Sequence, residues 1–317
     1  MKISIIIPIY NEQDSIKPLI NSISILMDNE KEKKWEILFV DDGSKDKTLE
    51  ILQNEIVKLA NAKIIQLQRN YGQTAAISAG IDNSKGNILV TMDADLQNDP
   101  SDIPKLIKKL DYGYDVVSGW REKRKDRYFT RILPSKIANW IISKISGVTL
   151  HDYGCTLKAY KKTTLKNVKL YGEMHRFIPI YITWQGGKVT EIPIRHHARK
   201  FGKSKYGLMR TFSVIADLIF LKYMEKHFTH PIHLFGGISL LNFGLSIISF
   251  LLMSYFKFWG SKSFIQTPLP QLVILFAMIG ILSMFMGFLA EILMRTYYES
   301  QDKKSYQVRE TTENIAS

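Results

Sequence analysis

Two carboxylates one residue apart, Asp93 and Asp95, follow an apolar run that ends at Met92. Carboxylates this close repel each other unless a cation or hydrogen-bond donors compensate their charge. Hard oxygen ligands at this density suit Mg²⁺ or Mn²⁺ that arrives with a phosphate-bearing substrate. Because Asp-x-Asp also occurs by chance in solvated loops, the rest of the chain must decide between a metal–phosphate site and a plain loop.

The elements that must position these carboxylates form a regular alternation. Strand-like apolar runs at residues 3–9, 35–40, 64–67, 88–92 and 116–118 alternate with helical patterns at residues 14–27, 47–59, 74–81 and 102–110. Repeated β-α units predict an α/β fold with a mostly parallel sheet and helices on both faces. Neither a Gly-x-Gly-x-x-Gly after the first strand nor a P-loop motif occurs. A dinucleotide oxidoreductase and a P-loop NTPase are therefore disfavoured.

Polar residues follow the earlier strands as well. They are Tyr10, Asn11, Glu12, Asp41, Asp42, Gly43, Ser44, Arg69 and Asn70. Ligands of parallel sheets bind beyond the carboxyl ends of the strands, so these groups should share one rim with Asp93 and Asp95. Ser44 suits a helix cap, but capping does not explain two adjacent carboxylates.

The charge balance of the chain points to an anionic partner. The 317 residues include 43 basic and 30 acidic side chains, a net charge of +13. Nucleic acid, an anionic membrane surface and phosphorylated small molecules all fit this balance. The single cysteine, Cys155, excludes an internal disulfide and fits a reducing cytoplasmic compartment. The short apolar N-terminal run is interpreted as a first strand and not as a signal peptide.

Two later stretches, residues 234–256 and 268–290, carry no charged side chain. Each approaches the roughly 20 apolar residues that a helix needs to cross a bilayer, so both are predicted to be transmembrane helices. A buried helical hairpin would normally show a polar face. Lys and Arg are frequent before the first stretch and after the second, whereas the connecting loop holds only Lys257 and Lys262. The positive-inside rule therefore places both termini of a multi-pass protein in the cytoplasm. Glycines at heptad spacing suggest close packing of the two helices, namely Gly237, Gly244, Gly280 and Gly287.

Three basic segments flank the acidic turn and the apolar hairpin. Arginines from Arg121 to Arg131 lead into a helical pattern with apolar residues at 137, 140, 141 and 145, typical of a helix in a membrane interface, although a core-packed helix with a basic face has the same pattern. The run 195–206 has the density of positive charge expected of an anion-binding loop. A metal site at its two adjacent histidines is disfavoured, because neighbouring side chains on a strand point to opposite faces and rarely chelate one metal together. Residues 210–228 predict a second interfacial helix.

The motifs at residues 8–12, 41–44 and 93–97, each at a predicted strand end, resemble the GT-A fold glycosyltransferases. Among them they are similar to the polyisoprenyl-phosphate glycosyltransferases typified by dolichol-phosphate mannose synthase, of the bacterial undecaprenyl-phosphate type. Residues 152–160 resemble a further segment of that family, and the resemblance covers roughly residues 3–206. It implies transfer of one sugar, with inversion, from a nucleotide-diphosphate sugar to a polyprenyl phosphate at a lipid bilayer, with Mg²⁺ or Mn²⁺ as cofactor.

The resemblance also implies roles for individual residues. It assigns nucleotide-sugar binding to Pro8, Tyr10, Glu12, Val40, Asp42, Asp93, Ala94, Asp95, Arg199 and Lys205. It assigns binding of the lipid phosphate to Arg121, Arg131 and Ser135, and binding of the metal to Asp95, Gln97 and Asp93. Candidate catalytic residues are Asp95, Asp93, Asp152 and Arg121, whereas a substrate contact of His175 stays undecided.

The expected organisation is a GT-A catalytic domain at residues 1–208, a juxtamembrane helix at 209–230, two transmembrane helices at 231–296 and a cytoplasmic tail at 297–317. The family further implies an inner-membrane homo-oligomer with a cytoplasmic catalytic domain and no nucleic acid partner. Three alternatives remain open: a GT-A enzyme with a glycan or protein acceptor, a processive polysaccharide synthase, which would need more transmembrane helices, and a non-catalytic membrane scaffold that holds anionic lipid or nucleic acid.

Overall fold

We describe the fold from a computed structural model of the chain. The structure describes residues 2–122, 133–165, 168, 170, 172, 174–198, 231–260 and 263–300. It divides into two compact units, Met1–Phe220 and Leu221–Ser317, each of which is described by itself.

Among the described residues of the first unit, seven strands form a single sheet. They are β1 (Lys2–Ile9), β2 (Lys34–Asp41), β3 (Ala62–Gln66), β4 (Ile88–Thr91), β5 (Val116–Trp120), β6 (Lys158–Lys161) and β7 (Val189–Pro193). Their order in the sheet is β3-β2-β1-β4-β6-β5-β7. β6 is antiparallel to β4 and β5, and all other pairs are parallel. The prediction of a mostly parallel sheet is confirmed, but the sequence pattern did not identify β6 as a strand.

Seven helices of this unit accompany the sheet in the described residues. They are α1 (Ile16–Asn29), α2 (Thr48–Glu55), α3 (Gln73–Asn83), α4 (Ile103–Leu110), α5 (Leu133–Ser146), α6 (Lys162–Leu165) and α7 (Ile178–Trp184). The predicted helix 47–59 is shorter than expected, since α2 ends at Glu55 and a 3₁₀ turn, Ile56–Lys58, follows it. The other three predicted helices agree with the observed ones to within two residues at each end, which is the usual uncertainty of helix ends.

The core of the first unit lies on both faces of the sheet. Along β1, Ile5 and Ile7 belong to one hydrophobic cluster and Ile6 to the other. Alternate side chains of a strand point to opposite faces, so a continuous β-branched run predicts a strand buried on both sides, as observed. Because β6 is antiparallel, its first residue, Lys158, lies opposite the last residue of β4, Thr91. The segment that precedes β6 therefore joins the rim formed by the carboxyl ends of the parallel strands.

The second unit contains two long helices in its described residues, α8 (Pro231–Phe258) and α9 (Leu269–Ser300). Both are long and apolar enough to cross a membrane, at Ile232–Phe258 and Leu269–Leu293. Only 17% and 11% of their most apolar windows are buried in the chain, whereas the core helices of soluble proteins are mostly buried.

Hydrogen bonds and glycines hold the two long helices together. Ser239 Oγ donates to the Gly280 carbonyl oxygen at 2.8 Å, and Ser246 Oγ donates to that of Val273 at 2.9 Å. A Cβ at Gly280 would lie 3.0 Å from the ring of Phe243, so this glycine permits the close approach. Gly287 likewise faces α8, but Cβ atoms at Gly237 and Gly244 would meet nothing within 4 Å. The expectation that all four glycines serve the helix contact is therefore wrong for the two in α8.

Candidate active site

The loops after β1 and β2 are tied together by short hydrogen bonds. The Asn11 N–H donates to Ser44 Oγ at 2.9 Å, and the Glu12 N–H donates to Thr48 Oγ1 at 2.8 Å. In the opposite direction, the Lys45 N–H donates a hydrogen bond to Asn11 Oδ1 at 2.7 Å. Asn11 has a φ of 49°, a left-handed conformation that asparagine tolerates better than most residues. The first two predicted motifs thus form one surface.

Within these two motifs, Pro8 and Val40 are paired in register between β1 and β2. Val40 and Ala94 are buried, whereas Pro8, Tyr10 and Glu12 are partly exposed at the rim. The structure therefore brings the residues predicted to bind the nucleoside to adjacent strand ends.

Asp42 joins this surface to the start of α3. The Tyr71 and Gly72 N–H groups donate to its carboxylate at 2.7 and 2.9 Å. Burial raises the pKa of Asp42, and the negative charge of Asp41 raises it further. The two N–H donors lower the pKa, but they do not cancel the increase. Gly43 makes the contact possible because it has a φ of +70°, and a Cβ there would lie 2.6 Å from the Arg69 carbonyl carbon.

The acidic turn lies on the other side of the start of α3. Gln73, the first residue of α3, donates from Nε2 to Asp93 Oδ1 at 2.7 Å. The Gln97 N–H donates to Asp95 Oδ1 at 3.1 Å, across Leu96 with its φ of 61°. A left-handed leucine is uncommon and is typically found where the surrounding structure imposes the turn. The three residues 71–73, which lead into α3, thus contact both Asp42 and Asp93.

The backbone after the acidic turn pairs with the start of the basic run. Asn98 and His196 form an isolated antiparallel bridge, and the His197 N–H donates to the Gln97 carbonyl oxygen at 2.9 Å. The Gln97 amide nitrogen lies 3.5 Å from both His196 Nε2 and the His197 carbonyl oxygen. Arg199 and Lys205 lie outside the described residues, which stop at Ala198 in this region.

Arg195, at the start of the same run, has a structural role. Its N–H and Nη2 donate to Asp102, which is fully buried, at 2.8 and 3.0 Å. Burial opposes ionisation of Asp102, but the bonds from Arg195 and Lys105 outweigh it and hold the pKa of Asp102 below its usual value. Arg195 therefore anchors the basic run on Asp102, the residue before α4.

Arg121 and Asp152 form a two-point ion pair at the end of β5. Arg121 Nε donates to Asp152 Oδ2 at 2.6 Å, and Nη2 donates to Oδ1 at 2.9 Å. Burial would lower the pKa of Arg121, but the adjacent Asp152 carboxylate raises it above its usual value, with smaller contributions from Cys155 and Asp93. The structure thus brings together two residues predicted to be catalytic, and Arg121 is charged at every physiological pH.

The segment after Asp152 crosses the end of β4. Thr91 Oγ1 donates to the Thr156 carbonyl oxygen at 2.6 Å. Burial raises the pKa of the Cys155 thiol to about 11, which fits a packed residue and not a nucleophile. Burial lowers the pKa of the Lys158 amine to about 8, although Nζ donates to the carbonyl oxygens of Tyr153 and Cys155. The amine of this buried lysine thus lies near enough to Arg121 and Asp152 for their charges to act on it.

His175 and Arg176 connect α3 with the Asp152 segment. Thr74 Oγ1 donates to the Gly172 carbonyl oxygen at 2.5 Å and lies 2.6 Å from His175 Nδ1. The Thr74 hydroxyl proton is used in the bond to the Gly172 carbonyl oxygen. The bond between Thr74 Oγ1 and the buried His175 is therefore donated by Nδ1–H of the histidine. The Arg176 guanidinium reaches the neighbourhood of Gly154. Sequence reasoning left His175 undecided and missed Gln73, Thr74 and Arg176.

One signal in the sequence pointed to two of these residues. Gln73 and Thr74 follow shortly after Arg69 and Asn70, which the strand-end rule had already placed on the rim. Of the residues predicted to bind the lipid phosphate, Ser135 lies in the first turn of α5, and Arg131 lies outside the described residues.

The acidic turn fits a divalent cation that its substrate helps to bind. Among the described residues, no group of three or more His, Cys, Asp or Glu side chains forms a complete metal site. Asp93 and Asp95 provide two hard carboxylates, and Mg²⁺ in proteins is commonly held by one or two carboxylates together with substrate phosphates. The donor set therefore suits Mg²⁺ or Mn²⁺ bound together with a diphosphate.

Comparison with known proteins assigns the chain to a family. The family described as "Glycosyl transferase family 2" matches residues 4–177, which include the carboxyl ends of β1 to β5 and the Asp152 segment. The chain is a family 2 glycosyltransferase. This glycosyltransferase is 40% identical over 314 residues to the dodecaprenyl-phosphate galacturonate synthase of Rhizobium johnstonii, covering 98% of the chain and 93% of the relative. It is 36% identical over 312 residues to the undecaprenyl-phosphate 4-deoxy-4-formamido-L-arabinose transferase of Salmonella choleraesuis, with 98% and 93% covered.

Solved structures show the same fold at lower identity. Glucosyl-3-phosphoglycerate synthase from Mycobacterium tuberculosis, in complex with Mn²⁺, UDP and phosphoglyceric acid, superposes with a TM-score of 0.56 at 16% identity over 71% of the glycosyltransferase and 78% of that chain. Its complex with Mg²⁺ and UDP gives 0.53 at 18% identity over 70% and 79%. The predicted GT-A fold and the predicted family are confirmed.

Proposed function

We propose that this glycosyltransferase moves one sugar from a nucleotide-diphosphate sugar to a polyprenyl phosphate at a membrane. The observation that carries the proposal is the set of hydrogen bonds that connects Asp42 through residues 71–73 to Asp93, whose charge in turn acts on Arg121 of the Arg121–Asp152 pair. An acidic surface suited to a nucleotide diphosphate thus lies beside a buried guanidinium suited to a second phosphate. Two relatives whose names specify polyprenyl-phosphate acceptors, similar over nearly the whole chain, support this acceptor class.

The proposed reaction is a single displacement with inversion. A polyprenyl phosphate is already anionic near neutral pH, so its oxygen attacks the anomeric carbon without a general base. A new bond forms between that oxygen and the anomeric carbon, and the bond from the carbon to the diphosphate oxygen breaks. Arg121, with Arg131 and Ser135, orients the attacking phosphate, while Asp152 holds the Arg121 guanidinium in place.

Donor binding is proposed for the surface formed by the first two motifs. The carboxylates of Glu12 and Asp42 accept hydrogen bonds from the base or the ribose, and Pro8, Tyr10 and Val40 shape the nucleoside pocket. Arg199 and Lys205 bind the diphosphate, a role supported by the pairing of the basic run with residues 97 and 98.

We propose that Mg²⁺ or Mn²⁺ is held, together with the diphosphate, by Asp95, Asp93 and Gln97. Ala94, between the two aspartates, lies next to the diphosphate. When bound, the ion offsets the negative charge that grows on the leaving diphosphate. The fold neighbours from Mycobacterium tuberculosis, solved with Mn²⁺ or Mg²⁺ and UDP, support the use of a divalent cation.

The proposed location is the plasma membrane, with the catalytic unit and both termini in the cytoplasm and α8 and α9 as spans. We propose domain limits of 1–208, 209–230, 231–296 and 297–317, and a homo-oligomeric state. Crosslinking of the full-length protein in native membranes, with cysteine accessibility at the loop between α8 and α9, tests the oligomer and the orientation.

The central experiment incubates the purified full-length protein with radiolabelled nucleotide sugars, undecaprenyl phosphate and Mg²⁺ or Mn²⁺. We expect a lipid-linked sugar with at least one donor, and its loss in Asp95→Ala with retained binding of the lipid. Asp111→Ala, at an exposed position after α4, serves as the matched control and should retain activity. Transfer to a glycan or protein acceptor alone, or no transfer with any donor, would contradict the proposal.

A further inference from the structure

The segment that carries Asp152 is held in place by side chains from other elements. Residues 147–157 belong to no helix or strand, although most of them are buried. Buried backbone outside regular structure needs other partners for its N–H and carbonyl groups. The side chains that supply these partners therefore help to set the position of Asp152.

Glu191, on the last strand of the sheet in the described residues, supplies two of these contacts. Its Oε2 accepts a hydrogen bond from the His151 backbone N–H at 2.9 Å, and its Oε1 is bonded to Nδ1 of the His151 ring. An ionised carboxylate has only acceptors, so Nδ1 must carry the proton of the second bond. One carboxylate thus holds both the backbone and the ring of His151.

Two further elements hold His151 from other sides. Asn139 on α5 donates from Nδ2 to the His151 carbonyl oxygen at 2.7 Å. The ring of Trp120, the last residue of β5, stacks on the imidazole with a centroid distance of 4.4 Å and an interplanar angle of 20°. The two peptide groups of His151 and its ring are therefore all held by other residues.

The same two segments carry the Arg121–Asp152 pair. Trp120 precedes Arg121 in the chain and His151 precedes Asp152, so the ring stack and the ion pair are neighbouring contacts between these segments. A two-point bond between a guanidinium and a carboxylate depends on the relative orientation of the two planes. A shift of His151 would therefore turn Asp152, and with it the Arg121 guanidinium.

We propose that Glu191 is a positioning residue for the acceptor site, which acts through His151 to hold Asp152 and Arg121 in the orientation that the lipid phosphate requires. This inference rests on the proposed function. The Glu191–His151 pair itself contributes little to folding stability, because the His151 side chain is 62% exposed. A displacement of about 1 Å in a group that orients a reactant, however, can lower a rate about a hundredfold.

The main variant is Glu191→Ala in the full-length protein, with initial rates measured while the lipid and the nucleotide sugar are varied separately. We expect kcat/KM for undecaprenyl phosphate to fall about ten- to hundredfold, as for a misplaced orienting group. The KM for the nucleotide sugar should change less than about twofold, and the melting temperature by less than about 4 °C.

Glu55→Ala is the matched control for this variant. The Glu55 side chain is 12% exposed, against 15% for Glu191, and it also pairs with a more exposed partner, Lys58. Because Glu55 is the last residue of α2 and has no contact with the Asp152 segment among its hydrogen bonds and ion pairs, Glu55→Ala should leave the kinetics unchanged.

Two substitutions of His151 separate the hydrogen bond from the ring stack. His151→Asn keeps a side-chain N–H donor close to the position of Nδ1 but loses the ring, whereas His151→Phe keeps a ring for Trp120 but loses the donor. We expect kcat/KM for the lipid to fall less than about twofold in His151→Asn. In His151→Phe it should fall about fivefold, because only the backbone bond to Glu191 remains. The opposite order would overturn the inference, since the ring stack would then set the position.

A binding measurement keeps this inference separate from the proposed function. Undecaprenyl phosphate and undecaprenol are titrated into the detergent-solubilised protein, and tryptophan fluorescence is followed. If the wild type prefers the phosphate and this preference falls in Glu191→Ala but not in Glu55→Ala, the inference is supported even when no donor yields a lipid-linked sugar. A wild type that does not prefer the phosphate would overturn both the inference and the proposed function.

Three other results would overturn the inference while transfer to the lipid is intact. Glu191→Ala could keep the wild-type kcat/KM and lipid affinity, or only its KM for the nucleotide sugar could rise. Its melting temperature could also fall as far as that of Asp152→Ala, which would show a purely structural role. If Glu191→Ala does not fold, wild-type kinetics and lipid affinity in His151→Phe overturn the inference.

Discussion

The two halves of the candidate site are stabilised by different interactions. The half around Asp42 is held by backbone N–H groups, short hydroxyl side chains and a glycine against which a neighbouring loop packs. The half around Asp152 is held by buried charges, namely the pair with Arg121 and the amine of Lys158. Steric changes should therefore damage the first half most, and changes of charge or pH the second.

The largest effect is expected from Asp152→Ala in the charged half. Removal of one partner leaves the mostly buried Arg121 without its carboxylate, which costs about 3–5 kcal/mol. Thermal unfolding in detergent measures the loss, and Asp115→Ala is the control because its lysine partner, Lys161, is 38% exposed. A double variant, Arg121→Met with Asp152→Ala, should recover part of the stability. Equal melting temperatures for Asp152→Ala and the wild type would contradict the description of this half.

A smaller loss, about 3 kcal/mol, is expected from Gly43→Ala in the backbone-held half, where a left-handed conformation and a clash with the Arg69 backbone add up. Gly113→Ala is the matched control, because Gly113 also has a positive φ of +91° but nothing within 4 Å of its Cβ position. It should lose only the conformational part, about 1–2 kcal/mol. The affinity for UDP or GDP should fall in Gly43→Ala alone, as measured by calorimetry. Equal losses in the two variants would show that the close approach at Gly43 is unimportant.

Gln73→Leu tests the contact that connects the two halves. It removes the bond to Asp93 and should lower kcat/KM about tenfold, as expected for a lost hydrogen bond to a charged group. Asn83→Leu at the other end of α3 is the control, because its amide bonds only to the Ala79 carbonyl within the helix. Steady-state kinetics at saturating Mg²⁺ measure both. Unchanged kinetics in Gln73→Leu would mean that the two halves act independently.

The most gradual effect is expected from pH, since it is spread over more than two pH units in the charged half. Burial lowers the pKa of Lys158 to about 8 from its ordinary value of 10.5, so the unfolded chain binds more protons between these values. Folding stability from this group therefore rises as pH increases from about 8 towards 10.5, by at most about 1.4 kcal/mol per pH unit. Lys158→Met should lack this contribution, which the difference in melting temperature from the wild type reports across the range. If the difference in melting temperature between Lys158→Met and the wild type is the same at every pH, the proposed contribution of Lys158 is wrong.

Local sequence patterns were sufficient to predict the sheet, the strand-end motifs and the apolar helices. Each of these depends on the order of apolar and polar residues over short stretches, such as the run from Ile3 to Ile9. The bond between Thr74 and His175 joins residues 101 positions apart, so the folded chain is needed to reveal it. β6 was missed because a lysine stands at each end of its four residues, so it lacks the continuous apolar run that identified β4, which is equally short. In the hairpin, heptad spacing is identical for Gly237 and Gly244 and for Gly280 and Gly287, so spacing alone does not indicate which pair faces the partner helix.

The left-handed turn at Leu96 has a consequence for how the chain can change in evolution. Its φ of 61° directs the backbone so that residues 97 and 98 pair with His196 and His197. A residue inserted between Asp95 and Asn98 would shift this pairing by one position and turn the basic run away from the carboxylates. We therefore expect homologous chains to keep a constant length in this turn, and to accept insertions only beyond the bridge at residue 196.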